Sequence, residues 1–106
     1  MTWTLFLDDI RFPVDETWQI ARSVDEAMAL IKSQGYPIEM SLDHDLGDDV
    51  PTGHDFVKLL IEQALTEGTE ADLVAIDMGV HSANPVGKLN INGLWKSFQQ
   101  HCEHNS

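Results

Sequence analysis

The sequence predicts an α/β domain, an open and mainly parallel sheet of about four strands with about three helices packed on it. Three observations carry this expectation. Short apolar runs alternate with segments whose apolar residues recur at helical spacing. Two helical segments open on side-chain caps and close on glycine. Three of the expected strands end in polar clusters, at the sheet edge where open α/β folds take up ligands. With 106 residues the chain has the size of one domain, residues 1–106, around one core, which excludes a two-domain enzyme.

Trp3 to Leu7 is an apolar run that delivers Asp8 and Asp9 at its C-terminal end, the pattern of a buried strand. A loop with Pro13 and Asp15 follows, and Thr17 to Ala21 is β-prone. The connection between these strands is shorter than a helical crossover needs, so the residues alone leave their mutual orientation open. Ser23-Val24-Asp25-Glu26 has the pattern of a capping box, and Val24, Ala27, Met28 and Ile31 share one face of the helix it opens. Gly35 stops that helix and Pro37 prevents its continuation.

Ile38 to Leu42 makes a third strand, ending in the acidic run Asp43-His44-Asp45-Leu46-Gly47-Asp48-Asp49. Thr52-Gly53-His54-Asp55 opens the next helix, whose apolar stripe is Phe56, Val57, Leu60, Ile61, Ala64 and Leu65, closed by Gly68. Leu73 to Ser82 is expected as a fourth strand, with Asp77 marking a sheet edge and Gly79 a bulge or a close backbone approach. Asn84-Pro85 is a good N-cap pair for a last helix with Ile91, Leu94, Trp95 and Phe98 on its core face, weakened by Asn92-Gly93. Residues 101–106 are expected to fray.

Composition narrows the function. Hydrophobic residues at 42% and charged residues at 23% suit a folded chain. The balance of 18 acidic against 6 basic side chains, a net charge of −12, opposes a groove that follows a long nucleic-acid backbone. The lone Cys102 excludes an intramolecular disulfide and a cysteine-rich zinc site, so any metal must sit on oxygen or imidazole. No apolar stretch approaches membrane-span length and the first residues lack a basic signal region, so a cytoplasmic protein with no membrane partner is expected.

If the first and third strands are neighbours, Asp8, Asp9, Asp43 and Asp45 crowd into one region and repel unless a hard cation such as Mg²⁺ or Mn²⁺ joins them. The plain alternative is that they are solvated loop acids or helix caps. His81-Ser82-x-Asn84 precedes a helix N-terminus, where free amides attract anions. His81 then suits proton transfer, and Ser82 and Asn84 suit hydrogen bonds to phosphate oxygens. Alternatively Asn84 only caps, Ser82 bonds locally and His81 fills the core rim. Arg11 is either a bidentate phosphate ligand or a salt-bridge partner of an Asp. Trp18 is a rim residue or, if exposed, a base-stacking one.

These residues resemble the receiver domain of two-component response regulators, with Asp8-Asp9 as its acidic pair, Asp43 at its phosphoacceptor position and Ser82-Ala83 at its hydroxyl position. The chain departs from it in having no fifth strand, no lysine after one, and a loop from Arg11 to Glu16 in place of the first helix. A closer resemblance, along nearly the whole chain, is to the cyclic-phosphate processing receiver-like domain of bacterial and phage proteins. It is carried by Leu7-Asp8-Asp9-x-Arg11-x-Pro13, Ser41-Leu42-Asp43-His44-Asp45-Leu46-Gly47, Thr52-Gly53 and His81-Ser82-Ala83-Asn84-Pro85-x-Gly87.

The resemblance implies a receiver-like (flavodoxin-like) parallel sheet of order 2-1-3-4 and a role on cyclic phosphates of nucleotides or RNA ends. The leading expectation is a metal-dependent phosphoesterase with a small phosphorylated ligand. Asp8, Asp9, Asp43 and Asp45 would hold the cation, His81 and Asp43 would act in catalysis, and Arg11, Ser82 and Asn84 would bind phosphate. The rivals are a binding module without chemistry and a degenerate receiver acting through protein contacts.

Overall fold

A computed structural model describes residues 2–104. Four strands, β1 (Thr4–Leu7), β2 (Gln19–Ala21), β3 (Glu39–Leu42) and β4 (Asp77–Val80), form one all-parallel sheet in the order β2-β1-β3-β4. Four helices accompany them: α1 (Val24–Gln34), α2 (Gly53–Glu67), the five-residue α3 (Glu70–Val74) and α4 (Pro85–His104). The expected order and the parallel β1–β2 pair are both present, and three of the four helices are long. No helix among the described residues is long and apolar enough to cross a membrane.

Handedness decides which side of the sheet the helices take. Parallel crossovers are right-handed, so the direction in which the chain steps across the sheet selects the face of the connection. The steps β2 to β3 and β3 to β4 run the same way and carry α1 and then α2–α3 onto one face. The step β1 to β2 runs the other way, and that connection, residues 8–18, contains no helix. α4 packs against α2 and α3.

One face of the sheet is therefore the core. Leu5, Leu7, Met40 and Leu42 are fully buried there against Val24, Ala27 and Ile31 of α1, Phe56, Leu60 and Ala64 of α2, Leu73 of α3, and Ile91, Trp95 and Phe98 of α4. The alternate residues Phe6, Ser41 and Gly79 point to the other face, which no helix covers. Phe6 stays 8% exposed because His81 and Trp18 lie against it.

Several expectations need correction. The first half of the expected strand from Leu73 to Ser82 is α3, because a short apolar run cannot be told from one buried helical turn by periodicity. Gly79 pairs regularly with Ser41, and a methyl group there would touch nothing, so it marks neither a bulge nor a close approach. Asp77 does lie on an edge strand, and it is exposed. Leu65 is 49% exposed, so the α2 stripe ends at Ala64.

α4 passes through Asn92-Gly93 and continues to His104, with Cys102 half-buried against the core, so residues 101–104 are helical; the last two residues of the expected tail lie outside the described residues. At α1, Ser23 Oγ accepts the Glu26 amide as expected, but the Glu26 carboxylate accepts from the Arg22 amide, one residue before the cap. The full reciprocal capping box is at α2, between Thr52 and Asp55.

Candidate functional site

The hydrogen-bonded ladder runs one residue past the strands. The Asp8 amide donates to Ala21 O at 3.1 Å, the Asp43 amide to Leu7 O at 2.8 Å, and the His81 amide to Leu42 O at 3.0 Å. That register sets Asp8, Asp43 and His81 side by side on three adjacent strands, on the helix-free face. Their ligand atoms all lie within 4.8 Å of one another.

Asp8 is fully buried. Its Oδ1 accepts the amides of Ile10 at 3.0 Å and Arg11 at 2.8 Å, and its Oδ2 meets His81 Nε2 at 2.9 Å. Burial pushes the carboxyl pKa up, but the Arg11 and Ile10 amides and the hydrogen bond and charge of His81 outweigh it and hold it below the ordinary value. An ionised carboxylate only accepts, which assigns the proton to Nε2. Nδ1 lies 2.7 Å from the Ser41 hydroxyl, which can accept from it or donate to it. The imidazole also stacks on Phe6, with centroids 4.4 Å apart and planes 4° from parallel. His81 is thus fixed at both nitrogens and on one ring face, with its side chain 21% exposed.

Asp43 differs from Asp8. It is 6% exposed, yet its carboxylate makes no hydrogen bond among the described residues. It opens onto a cavity of about 390 Å³ shared with Asp9, Ile10, Arg11, Asp45 and Asp48. A carboxylate that faces the cavity without a hydrogen bond, beside an ionised one, is the donor chemistry that a hard cation takes, so these residues fit Mg²⁺ or Mn²⁺. A larger hollow of about 640 Å³ between α1 and α2, near Met28, Lys32 and Gln63, is remote from the strand ends.

The remaining expected residues surround this cluster. Asp9 lines the cavity but is outside the converging set. Asp45, its side chain 62% exposed, spans His44 Nδ1 at 2.9 Å and Asn84 Nδ2 at 3.2 Å. The His44 hydrogen bond and then that of Asn84 hold its pKa below the ordinary value, so it ties the β3–α2 loop to the start of α4. Arg11 also lines the cavity, and its guanidinium donates to the His81 carbonyl at 3.3 Å. Asn84 Oδ1 caps α4 by accepting the Gly87 amide at 3.0 Å, and Ser82 Oγ accepts the Asn84 amide at 3.1 Å. Both are engaged locally, although the Ser82 hydroxyl keeps its own proton to donate.

Two glycines let the surrounding backbone close in. A methyl on Gly53 would lie 2.1 Å from the Asp43 carbonyl oxygen, and one on Gly87 would lie 2.4 Å from His44 Cγ. Sequence reasoning gave no role to Ser41 or Arg22. Arg22 donates to the carbonyls of Asp8 and Arg11, and it follows β2 at the position opposite Asp8. The signal was strand alternation, since Ser41 and Asp43 share one parity and Arg22 joins the row only once β2 is paired with β1.

The cyclic-phosphate processing receiver domain family model matches residues 3–97, from the residue before β1 into α4, a span that holds every residue of the cluster. No curated protein and no solved structure matches the chain. The match spans most of the sequence and takes in all four strands, so the chain belongs to the cyclic-phosphate processing receiver domain family.

Proposed function

We propose that this domain binds a cyclic phosphate through a hard divalent cation and opens it hydrolytically to a phosphomonoester. The observation that carries this reading is the Asp43 carboxylate, open to an acidic cavity and without a hydrogen bond among the described residues, beside ionised Asp8. Mg²⁺ or Mn²⁺ held by Asp8 and Asp43, with Asp9 and Asp45 at the cavity wall, would neutralise these charges and polarise the phosphate.

The chain's own groups supply the rest. Arg11 binds a phosphate oxygen from the cavity wall, and Ser82 and Asn84 add hydrogen bonds at the start of α4. Water adds to phosphorus, one ring P–O bond breaks, and the departing ester oxygen takes the Nε2 proton of the His81 imidazolium in place of Asp8 Oδ2, which leaves a neutral ring with its remaining proton on Nδ1, toward Ser41 Oγ. The proton lost by water passes to the Asp43 carboxylate oxygen that the cation would leave free, which has no competing hydrogen bond among the described residues. Ser41 holds the His81 ring in the orientation that aims Nε2 at the cluster.

The test is incubation with a panel of nucleoside 2′,3′-cyclic phosphates, with and without Mg²⁺ or Mn²⁺, followed by product mass. Cation-dependent gain of one water is the expected result. Intact ligand that stabilises the protein without conversion would overturn the hydrolytic step and leave a binding module.

A further inference from the structure

The segment that runs from β1 to β2 exposes three large apolar side chains: Ile10 at 73%, Phe12 at 75% and Val14 at 107%. Its first turn is held firmly. Asp8 Oδ1 takes the Ile10 and Arg11 amides, and Arg22 holds the Asp8 and Arg11 carbonyls. The Arg22 guanidinium also lies over the Phe12 ring, 4.6 Å from its centroid. One face of Phe12 is thereby backed by a cation, and the ring has no aromatic partner among the described residues. Ile10 reaches into the wall of the acidic cavity beside Asp43, so the apolar loop and the cavity are continuous.

Resting on the reading above, we propose that Phe12 is the specificity-determining residue of the site, stacking on the nucleobase of a nucleoside cyclic phosphate whose phosphate lies in the cavity. An exposed ring backed on one side by a guanidinium offers a flat π surface, and base stacking on such rings tolerates any base. The occupant is a short ligand. A net charge of −12 repels an anionic lipid surface, a long RNA backbone and a second copy of this chain, whereas one phosphate can be offset locally by a cation and Arg11.

The test compares wild type, Phe12→Ala and Phe12→Trp on a nucleoside 2′,3′-cyclic phosphate and on glycerol 1,2-cyclic phosphate, by calorimetric Kd and by turnover with Mg²⁺. Phe12 is exposed, so the variants are expected to fold. Phe12→Ala is expected to lower the preference for the nucleoside about 5- to 100-fold, chiefly through Kd and KM, and Phe12→Trp to restore it. A preference unchanged by Phe12→Ala overturns the assignment, as does a dimer that the substitution dissociates. Phe12-dependent binding without conversion upholds the loop's role and defeats only the hydrolytic step. A wild type that binds neither compound defeats both.

Discussion

The two faces of this one sheet obey different rules. On the covered face the central strands are apolar and closed by helices, with Leu5, Leu7, Met40 and Leu42 fully buried, and the one polar position, Gln19 on the edge strand β2, bonds Gln34 of α1. On the open face the alternate positions are mixed: Phe6 and Ser41, then Asp8, Asp43 and His81 one step further along the same strands. All-parallel sheets are ordinarily covered on both faces. Here the connection that would cover the second face is a loop, which leaves a polar surface where carboxylates and an imidazole meet. One face holds the protein together, and the other is free to hold groups that oppose stability.

That contrast is broken most severely by removing the groups of the open face. Asp43→Asn and His81→Ala are each expected to lower turnover of a cyclic phosphate by about 10²- to 10⁴-fold, measured as product formed per minute. Asp43→Asn should nevertheless raise the melting temperature of the metal-free protein, since it removes a carboxylate that no hydrogen bond offsets and that lies against the Asp8 carboxylate, and should abolish the further rise on adding Mg²⁺. A fall in metal-free melting temperature would mean that Asp43 is a structural residue.

The covered face should respond in the opposite sense. Leu42→Ala is expected to cost about 2–5 kcal/mol in urea unfolding because it empties a closed core. Its neighbour Ser41→Ala on the open face should cost about 1 kcal/mol. It should also shift the ¹⁵N resonance of His81 Nδ1, which loses its hydrogen-bond partner, while Nε2 stays held by Asp8. Equal stability losses at the two positions would erase the distinction between the faces.

Gly53 joins the faces, because the start of α2 rests on the Asp43 backbone. Gly53→Ala is expected to cost roughly 1–3 kcal/mol. It should also weaken Mg²⁺ binding, since the new methyl displaces the Asp43 carbonyl. Unchanged Mg²⁺ affinity in a folded variant would show that this contact does not position Asp43.

The smallest effect belongs to the α2 cap, where the Thr52 amide holds the Asp55 pKa below the ordinary value of 3.8, although burial opposes it. A carboxylate with a depressed pKa contributes stability that is complete above its unfolded value and is lost as pH falls through the folded one. The urea midpoint should therefore drop below about pH 4. Asp55→Ala should reduce stability at neutral pH by about 1 kcal/mol and flatten part of that drop.

Much of the covered face was legible in the sequence because it is written in local periodicity: the α1 and α2 stripes, their caps and glycine stops, and the apolar strand runs. α3 was missed because Leu73-Val74-Ala75-Ile76 carries no period that separates one buried turn from a strand. Leu65 was misplaced because a stripe does not say where its neighbour ends. On the open face, Asp8, Asp43 and His81 were legible as polar residues at strand ends. The roles of Ser41 and Arg22 were not, since they depend on the register between strands distant in sequence. Nor does a carboxylate reveal alone whether it will be pinned like Asp8, tied to a helix cap like Asp45, or unpartnered like Asp43.

The most direct measurement is a titration with Mn²⁺ followed by NMR, using line broadening to locate the ion. Selective broadening of Asp8, Asp43, His81 and Ser41 resonances at low Mn²⁺, lost in Asp43→Asn and reversed by excess Mg²⁺, is the expected result. Broadening spread over the acidic surface, or unaltered in Asp43→Asn, would contradict a cation site on the open face.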